Sequence, residues 1–497
     1  FTFLYADLHA HMIALPVTLL ALSWAISVLL NCWSWKKWGQ FGASFFLGSL
    51  AIGTLRPTNT WDWPTFLAVG CVAVIYTAIK FGSASPLRLP WIEFVAIQYR
   101  AWVKRVIFAL LGVLVLFGLS ALLYQPYMRW YAQAYNQIDP WQGAHTPFWS
   151  YLTHWGVFLF IIISWLIWET IDWMANTPLS RLNSLRRSRE MILLAIVGLF
   201  AVMVGFVILG VEIGWLALFL AAWAGVLLLR PGQPDGKRAV LFMIGTALVL
   251  TLFVEVAVLR GDIGRMNTVF KFYLQAWSLL GLSAGAALIW LLPAVARAWQ
   301  PALRNAWGVA LVLLVAGAAL FPVLGGIDKM TDRAAQNAPH TLDGMAYMGY
   351  ATYAEDETEM DLSEDYRAIQ WVQKNIPGSP VIVEANVPEY RWGNRYTIYT
   401  GLSGVVGWNW HQRQQRALIP GDWIFARIEA VKEFYNTTRP GDALAFLQRY
   451  RVQYIIVGQL ERAVYLPAGL DKFAAFDDKY WQRVYSDGKT SIYKVIQ

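Results

Sequence analysis

Met191-Ile-Leu-Leu-Ala-Ile-Val-Gly-Leu-Phe-Ala-Val-Met-Val-Gly-Phe-Val-Ile-Leu209 runs for nineteen residues without a charge. A helix of that length rises about 28 Å, close to the hydrocarbon thickness of a bilayer. A helix at a water-facing surface needs a polar side, and this stretch has none. It reads as a membrane-spanning helix. The same ruler of about 20 apolar residues, applied outward along the chain, marks ten candidate spans at 11–31, 40–55, 62–79, 102–123, 152–172, 190–209, 212–229, 239–258, 272–293 and 303–324.

Composition agrees with that reading. Of 497 residues, 57% are hydrophobic and 14% charged, whereas soluble domains carry about 25% charged residues. Lipid is therefore the main solvent. The 27 Trp, 23 Tyr and 26 Phe suit aromatic belts at the two bilayer interfaces. The net charge of +8 resides in loop Lys and Arg, so no nucleic-acid partner is expected. Cys32 and Cys71 fall in apolar stretches and define no disulfide framework. The chain opens at Phe1 without a charged leader and reads as starting part-way through a longer polypeptide.

The loop cations orient the spans. Sixteen Lys and Arg residues, Lys36, Lys37, Lys104 and Arg186 among them, occupy one set of loops, against five on the other: Arg56, Arg129, Arg260, Arg265 and Lys271. The positive-inside rule makes the first set cytoplasmic. The expected architecture is then a polytopic α-helical membrane domain, 1–325, followed by an extracytoplasmic α/β domain, 326–497. In that second domain Ser363 starts a helix to Asn375, Pro377-Gly378 stops it, and Val381–Val383 is a buried strand. A second helix-then-strand unit, Asp442–Arg449 and Val452–Val457, predicts a partly parallel sheet.

Chemistry collects on the outer side. Asp7, Asp62, Glu212, Glu255 and Asp262 all fall there, as do the six histidines. Ionisable groups at membrane depth are costly, so they line cavities or pair with one another. Asp7-Leu-His9-Ala-His11 places three potential ligands of a divalent metal just before the first span, and Asp7 is also a candidate general base. The alternative is a capping Asp with interfacial imidazoles. Asn59-Thr-Trp61-Asp62-Trp63-Pro64 starts a helix, with Asp62 near its N-cap, and leaves Asn59 and Trp61 to shape a pocket wall. Arg265-Met-Asn267-Thr-Val-Phe-Lys271 breaks the charge asymmetry, and its cations form either a phosphate site or pairs with Asp262 and Glu255.

These segments resemble signature stretches of the bacterial and archaeal "YYY" membrane proteins (DUF2298), a family grouped with the GT-C glycosyltransferases. Asp7-Leu-His-Ala-His-Met, Asn59-Thr-Trp-Asp-Trp-Pro and Arg265-Met-Asn-Thr-Val-Phe-Lys-Phe-Tyr carry the resemblance, along with Ala368-Ile-Gln-Trp, Gly407-Trp-Asn-Trp-His411 and Tyr454-Ile-Ile-Val-Gly toward the C-terminus. The family's N-terminal spans and its Tyr-Tyr-Tyr motif are missing, and His9-Ala10-His11 stands where its members have His-Pro-His. The chain therefore looks like the C-terminal portion of a full-length member.

The resemblance implies a GT-C-like multi-pass protein of the bacterial cytoplasmic membrane, acting outside on a polyprenyl-phosphate-linked sugar. It gives the catalytic role to Asp7, with His9 and Asp62 beside it and a divalent metal as possible cofactor on Asp7, His9 and His11. Asn59, Trp61, Arg265, Asn267, Lys271 and His411 would bind substrate, Arg265 and Lys271 taking the lipid phosphate. Membrane lipid is one partner, and a second chain supplying the missing helices is another. The competing expectation is a non-catalytic scaffold subunit of a larger complex.

Overall fold

The computed structural model describes all residues except 1–8, 31–37, 83–95, 132–136, 179, 181–187, 336, 418 and 497. Asp7 therefore lies outside the described residues, and the role expected of it has no structural counterpart. The chain divides at Gly326–Ile327 into two compact units.

The first unit is a helix bundle. Its elements are α1 (Ala10–Leu30), α2 (Trp38–Thr58), α3 (Asp62–Phe81), α4 (Ile97–Leu122), the short α5 (Gln125–Trp130), β1 (Ile138–Pro140), α6 (Phe148–Ala175), α7 (Arg189–Ile208), α8 (Gly214–Leu228), α9 (Asp235–Val256), β2 (Ala257–Leu259), α10 (Met266–Ala298) and α11 (Pro301–Leu320). A π-helical turn at Phe321–Gly325 leads from α11 into α12 (Gly326–Arg333).

A helix stands at each of the ten places the hydropathy pattern marks. Among the described residues, eight helices are long and apolar enough to cross a membrane. The two that fall short do so for different reasons. α8 has only 15 residues, about 22 Å of helix. α2 is long enough but carries Gly, Ser and Gln along its length. Those small residues serve packing: a Cβ on Gly48 would stand 2.2 Å from the Trp24 ring of α1, and the Trp24 indole donates to the Ser44 carbonyl at 2.8 Å. Close helix approach of this kind needs small side chains.

α3 packs between α1 and α4, and α9 between α8 and α10. Trp155, Trp165 and Tyr151 of α6 are fully buried at the centre of the largest core cluster. β1 and β2 pair antiparallel at one end of the bundle, Asp139 opposite Val258. α7 buries no residue, which agrees with the all-apolar stretch that shows it as a lipid-facing span.

The second unit contains β3 (Thr352–Glu355), β4 (Thr358–Asp361), α13 (Leu362–Asn375), β5 (Val381–Val383), α14 (Arg395–Thr400), β6 (Ser403–Gly404), α15 (Asn409–Gln415), α16 (Asp422–Asn436), α17 (Pro440–Tyr450), β7 (Val452–Val457), α18 (Gln459–Val464), α19 (Pro467–Ala475), β8 (Trp481–Asp487) and β9 (Thr490–Val495). Five strands form a mixed sheet in the order β6-β5-β7-β9-β8, with β5 parallel to β6 and β7 and the last two joints antiparallel. Both expected helix-then-strand units are present. The cap of α13 is Asp361 rather than Ser363: the Asp361 carboxylate accepts from the Ser363 backbone N–H at 2.9 Å. A carboxylate at that position also meets the positive end of the helix dipole.

Candidate functional site

Successive spans alternate in direction, so the first turns of α1, α3, α6 and α10 share one end of the bundle with the last turns of α2 and α9. Asp62 opens α3, where the helix N-terminus favours a carboxylate. Its side chain is nevertheless buried, 3% exposed, and turns to a distant helix: Oδ1 accepts from Gln275 Nε2 of α10 at 2.8 Å. The same amide nitrogen donates to the Trp61 carbonyl at 3.0 Å. Asp62 forms no ion pair among the described residues.

Beside this pair, Asn59 Nδ2 and His11 Nδ1 stand 3.0 Å apart, both residues buried. The His9 ring stacks on His11 with centroids 4.8 Å apart, and Phe270 meets the His11 ring edge-on at 4.4 Å. Lys271 is one turn before Gln275 on α10 and thus on the same helix face. It is close enough to Asp62 and His11 to act on both electrostatically. His9, His11, Asn59, Asp62, Lys271 and Gln275 are thus drawn from three segments into one polar cluster.

Arg265 belongs to a second cluster at the same end. Its Nη1 lies 2.8 Å from Glu255 Oε1 and donates to the Val254 carbonyl at 2.7 Å, while Nη2 donates to Thr146 Oγ1 at 3.1 Å. Glu255 is fully buried and also accepts from the Thr146 backbone N–H at 3.0 Å, with His145 Nδ1 at 3.3 Å. Of the two alternatives for these cations, the structure has Arg265 in a pair with Glu255. Asn267 is likewise engaged locally: Asp262 accepts from its backbone and side-chain nitrogens and from the backbone and hydroxyl of Thr268, all within 3.1 Å. Asp262 thereby caps α10. Glu212 accepts from the Phe148 backbone N–H at the start of α6, 2.7 Å.

Trp61 contributes its carbonyl, and its ring tilts against Phe272 at 6.0 Å. His411 belongs to the second unit, where Nε2 stands 2.9 Å from the Tyr390 hydroxyl. Arg260 and Asp139 form an exposed bidentate pair across the β-ribbon, and the guanidinium bonds hold the Asp139 carboxyl below the usual range. Among the described residues no three His, Cys, Asp or Glu side chains converge on a metal position. His9 and His11 lie together, but a His11 nitrogen already faces Asn59. The donor set described does not fit a metal by itself.

Sequence reasoning did not single out Gln275, Thr146 or Glu169. Nothing marks Gln275 beyond being an amide in an apolar helix four residues after Lys271. Glu169 is buried near the opposite end of the bundle, where it pairs with Lys237 and, at 3.5 Å, with Arg230, and accepts from Gln233 Nε2 at 3.4 Å.

The profile of the uncharacterized membrane protein family DUF2298 matches residues 1–280, more than half of the chain. No curated protein matches it. Among solved structures, the chain is similar to the archaeal oligosaccharyltransferase AglB from Archaeoglobus fulgidus, solved in complex with an inhibitory peptide and a dolichol-phosphate, at 15% identity and a TM-score of 0.31, over 98% of this chain and 57% of that one. It is also similar to the Archaeoglobus fulgidus oligosaccharyltransferase tethered with an acceptor peptide containing the NVT sequon via a disulfide bond, at 14% identity and a TM-score of 0.26, over 98% of this chain and 63% of that one. The chain thus spans about three fifths of the length of these proteins. With the family profile covering the helices that build both polar clusters, the chain belongs to the DUF2298 family of uncharacterized membrane proteins.

Proposed function

We propose that this protein is a GT-C-like membrane glycosyltransferase that takes a sugar from a polyprenyl-phosphate carrier at the Asp62 end of its helix bundle. The observation that carries the reading is Asp62 itself: a carboxylate buried beside two histidines and two amides, with no cation paired to it among the described residues. A buried carboxylate free of a salt bridge is able to accept a proton, which is what activation of an acceptor hydroxyl requires. In this reading the acceptor oxygen gives its proton to Asp62 or Asp7 and bonds to the sugar's anomeric carbon. The bond from that carbon to the carrier phosphate breaks, and Lys271 stabilises the departing phosphate anion. Gln275 and Asn59 fix the orientation of Asp62 and His11. No step is routed through a metal.

The loop charge asymmetry supports placing this end, and the C-terminal unit, on the extracytoplasmic side of a bacterial cytoplasmic membrane. One observation favours the non-catalytic alternative: Arg265, expected on the lipid phosphate, is committed to Glu255, Thr146 and the Val254 carbonyl.

Transfer of labelled sugar from a polyprenyl-phosphate donor, in membranes containing wild type, Asp62→Asn or Asp7→Asn, tests the proposal. Asp62→Asn keeps the shape and a bond to Gln275 but loses the base, so transfer is expected to fall about a hundredfold or more. Transfer undiminished in both variants would refute the assignment. No transfer by wild type, with the protein recovered in a stable complex, would identify a scaffold.

A further inference from the structure

On the α15–α16 face of the second unit, arginines lie against aromatic rings that are themselves exposed. Arg413 sits 5.0 Å from the Trp410 ring and 5.0 Å from the Phe425 ring, with Trp410 42% and Phe425 47% exposed. Arg416 lies 5.9 Å from the Trp423 ring, and Arg427 is 5.0 Å from the same ring and 5.5 Å from that of Tyr450. Ile419, 58% exposed, extends the apolar fringe.

Their polar contacts are all to neutral oxygens. Arg413 Nε donates to Asn409 Oδ1 at 3.0 Å, Arg416 to the Gln412 side-chain oxygen, and Arg427 Nη1 to the Val405 carbonyl at 3.0 Å. Among the described residues none of the three forms an ion pair with a carboxylate. Three guanidinium charges are thus presented together with large rings. Ring contact restrains each guanidinium, and each keeps N–H donors beyond the one bonded to a neutral oxygen, which suits contact with a phosphate.

We infer that the α15–α16 face is a docking surface for anionic phospholipid headgroups. Trp410, Phe425 and Ile419 settle at headgroup depth, where amphipathic rings are favoured, and Arg413, Arg416 and Arg427 contact the phosphodiesters. Charge complementarity selects the occupant: three unpaired cations complement an anionic leaflet, and the chain's own spanning helices keep that leaflet at high effective concentration.

The test uses the full chain in nanodiscs of phosphatidylcholine alone or mixed with phosphatidylglycerol, reading backbone hydrogen exchange over residues 409–427. Exchange is expected to slow about tenfold in the anionic discs, and the slowing is expected to disappear at high salt and in Arg413→Glu/Arg416→Glu. Unchanged exchange in β7 shows that the variant is folded. Equal exchange in the two lipids overturns the inference, as does slowing that appears only on adding a soluble oligosaccharide, which would mark a saccharide surface instead.

Discussion

Asp62 and Glu169 are both carboxylates buried in the first unit, and their surroundings differ in kind. Glu169 is met by Lys237, Arg230 and Gln233, and Arg230 reaches on to Asp172 at 2.9 Å. Asp62 is met by the amides of Asn59 and Gln275 and by Lys271 only at longer range, without an ion pair, and Gln275 Oε1 has no hydrogen-bond partner among the described residues. A charge removed from water must be compensated. At Glu169 the compensation is complete within the protein. At Asp62 it is partial, and an incompletely satisfied polar group in a folded interior marks a place where something else binds or reacts. That contrast, more than the number of polar residues at either end, separates a structural charge from a candidate site.

The second unit holds the fully compensated case in its most complete form, and breaking it should give the largest effect. Arg395, 1% exposed, bonds Asp365 through Nε at 2.7 Å and Glu461 through Nη1 and Nη2, with Glu384 3.8 Å away. Every carboxylate oxygen also has a donor: Trp392 and Tyr396 on Asp365, Ala385 and Gly458 on Glu461, Tyr396 and Thr397 backbone nitrogens on Glu384. Burial opposes the Glu461 charge, but the guanidinium holds its carboxyl below the usual range. Arg395→Met strands three buried carboxylates and should cost about 3–5 kcal/mol, seen as an earlier thermal transition and faster proteolysis of the second unit. A loss below about 1 kcal/mol would mean that the carboxylates simply take up protons.

The paired substitution in the bundle tests the contrast directly. Glu169→Gln leaves Lys237 and Arg230 without their shared counter-charge and should destabilise the first unit by about 2–3 kcal/mol. Asp62→Asn keeps a bond to Gln275 and breaks no ion pair, losing only the longer-range attraction of Lys271, so its cost should stay under about 1 kcal/mol. Thermal melts of both variants in one detergent compare them. Equal destabilisation would remove the physical basis for treating the Asp62 end as the site.

How far the sequence foreshadowed this depends on range. The spans were legible because lipid exposure writes itself as unbroken apolar runs, and Met191–Leu209 became α7, which has no buried residue. α2 was legible as a span at 40–55 although its packing against Trp24 requires small residues, which lower its hydropathy. Asp62, Asn59 and His11 were legible as polar residues near a span's end. Their convergence with Gln275 was not, since that contact joins positions 213 residues apart. Arg265 illustrates the same limit: its cationic character was visible, but its commitment to Glu255 depends on how α9 meets α10. In the second unit the β8–β9 hairpin was missed: Asp487-Gly488 is a turn signal, with Gly488 at φ 57°, but neither strand alternates and the pairing shifts register between Arg483 and Tyr485.

Lys472 gives a smaller effect with a definite sign. It is buried, Nζ donating to the Tyr435 and Gly469 carbonyls at 3.0 and 2.8 Å and lying 4.2 Å over the Phe473 ring. Among the described residues no acid pairs with it, and burial pushes its pKa down from 10.5 to about 7. Between those values an unfolded chain keeps the proton that the folded one releases, so stability rises with pH across the window, by at most about 1.4 kcal/mol per pH unit. Below about 7 both states are protonated and the dependence vanishes. Urea midpoints of the second unit from pH 7 upward, against Lys472→Met as the control that should lack the slope, check it. A slope of the opposite sign would show the ammonium is held by the carbonyls instead.

The smallest effect is expected where charges pair in water. Arg260 and Asp139 have the best-formed ion-pair geometry at the Asp62 end, with 2.7 and 2.9 Å bonds, yet their side chains are 61% and 38% exposed. Water compensates each charge when the other is removed, and salt screens what attraction remains. Arg260→Gln should therefore leave the melting temperature of the first unit unchanged at physiological salt, even though it deletes two hydrogen bonds. The β-ribbon itself is held by backbone pairing of Ile138–Pro140 with Ala257–Leu259, which the substitution does not touch. A marked drop in the melt would mean that ion pairing stabilises this end of the bundle regardless of burial. Compensation inside the protein would then no longer distinguish Glu169 from Asp62, and the Asp62 cluster would have to be defended on its contacts alone.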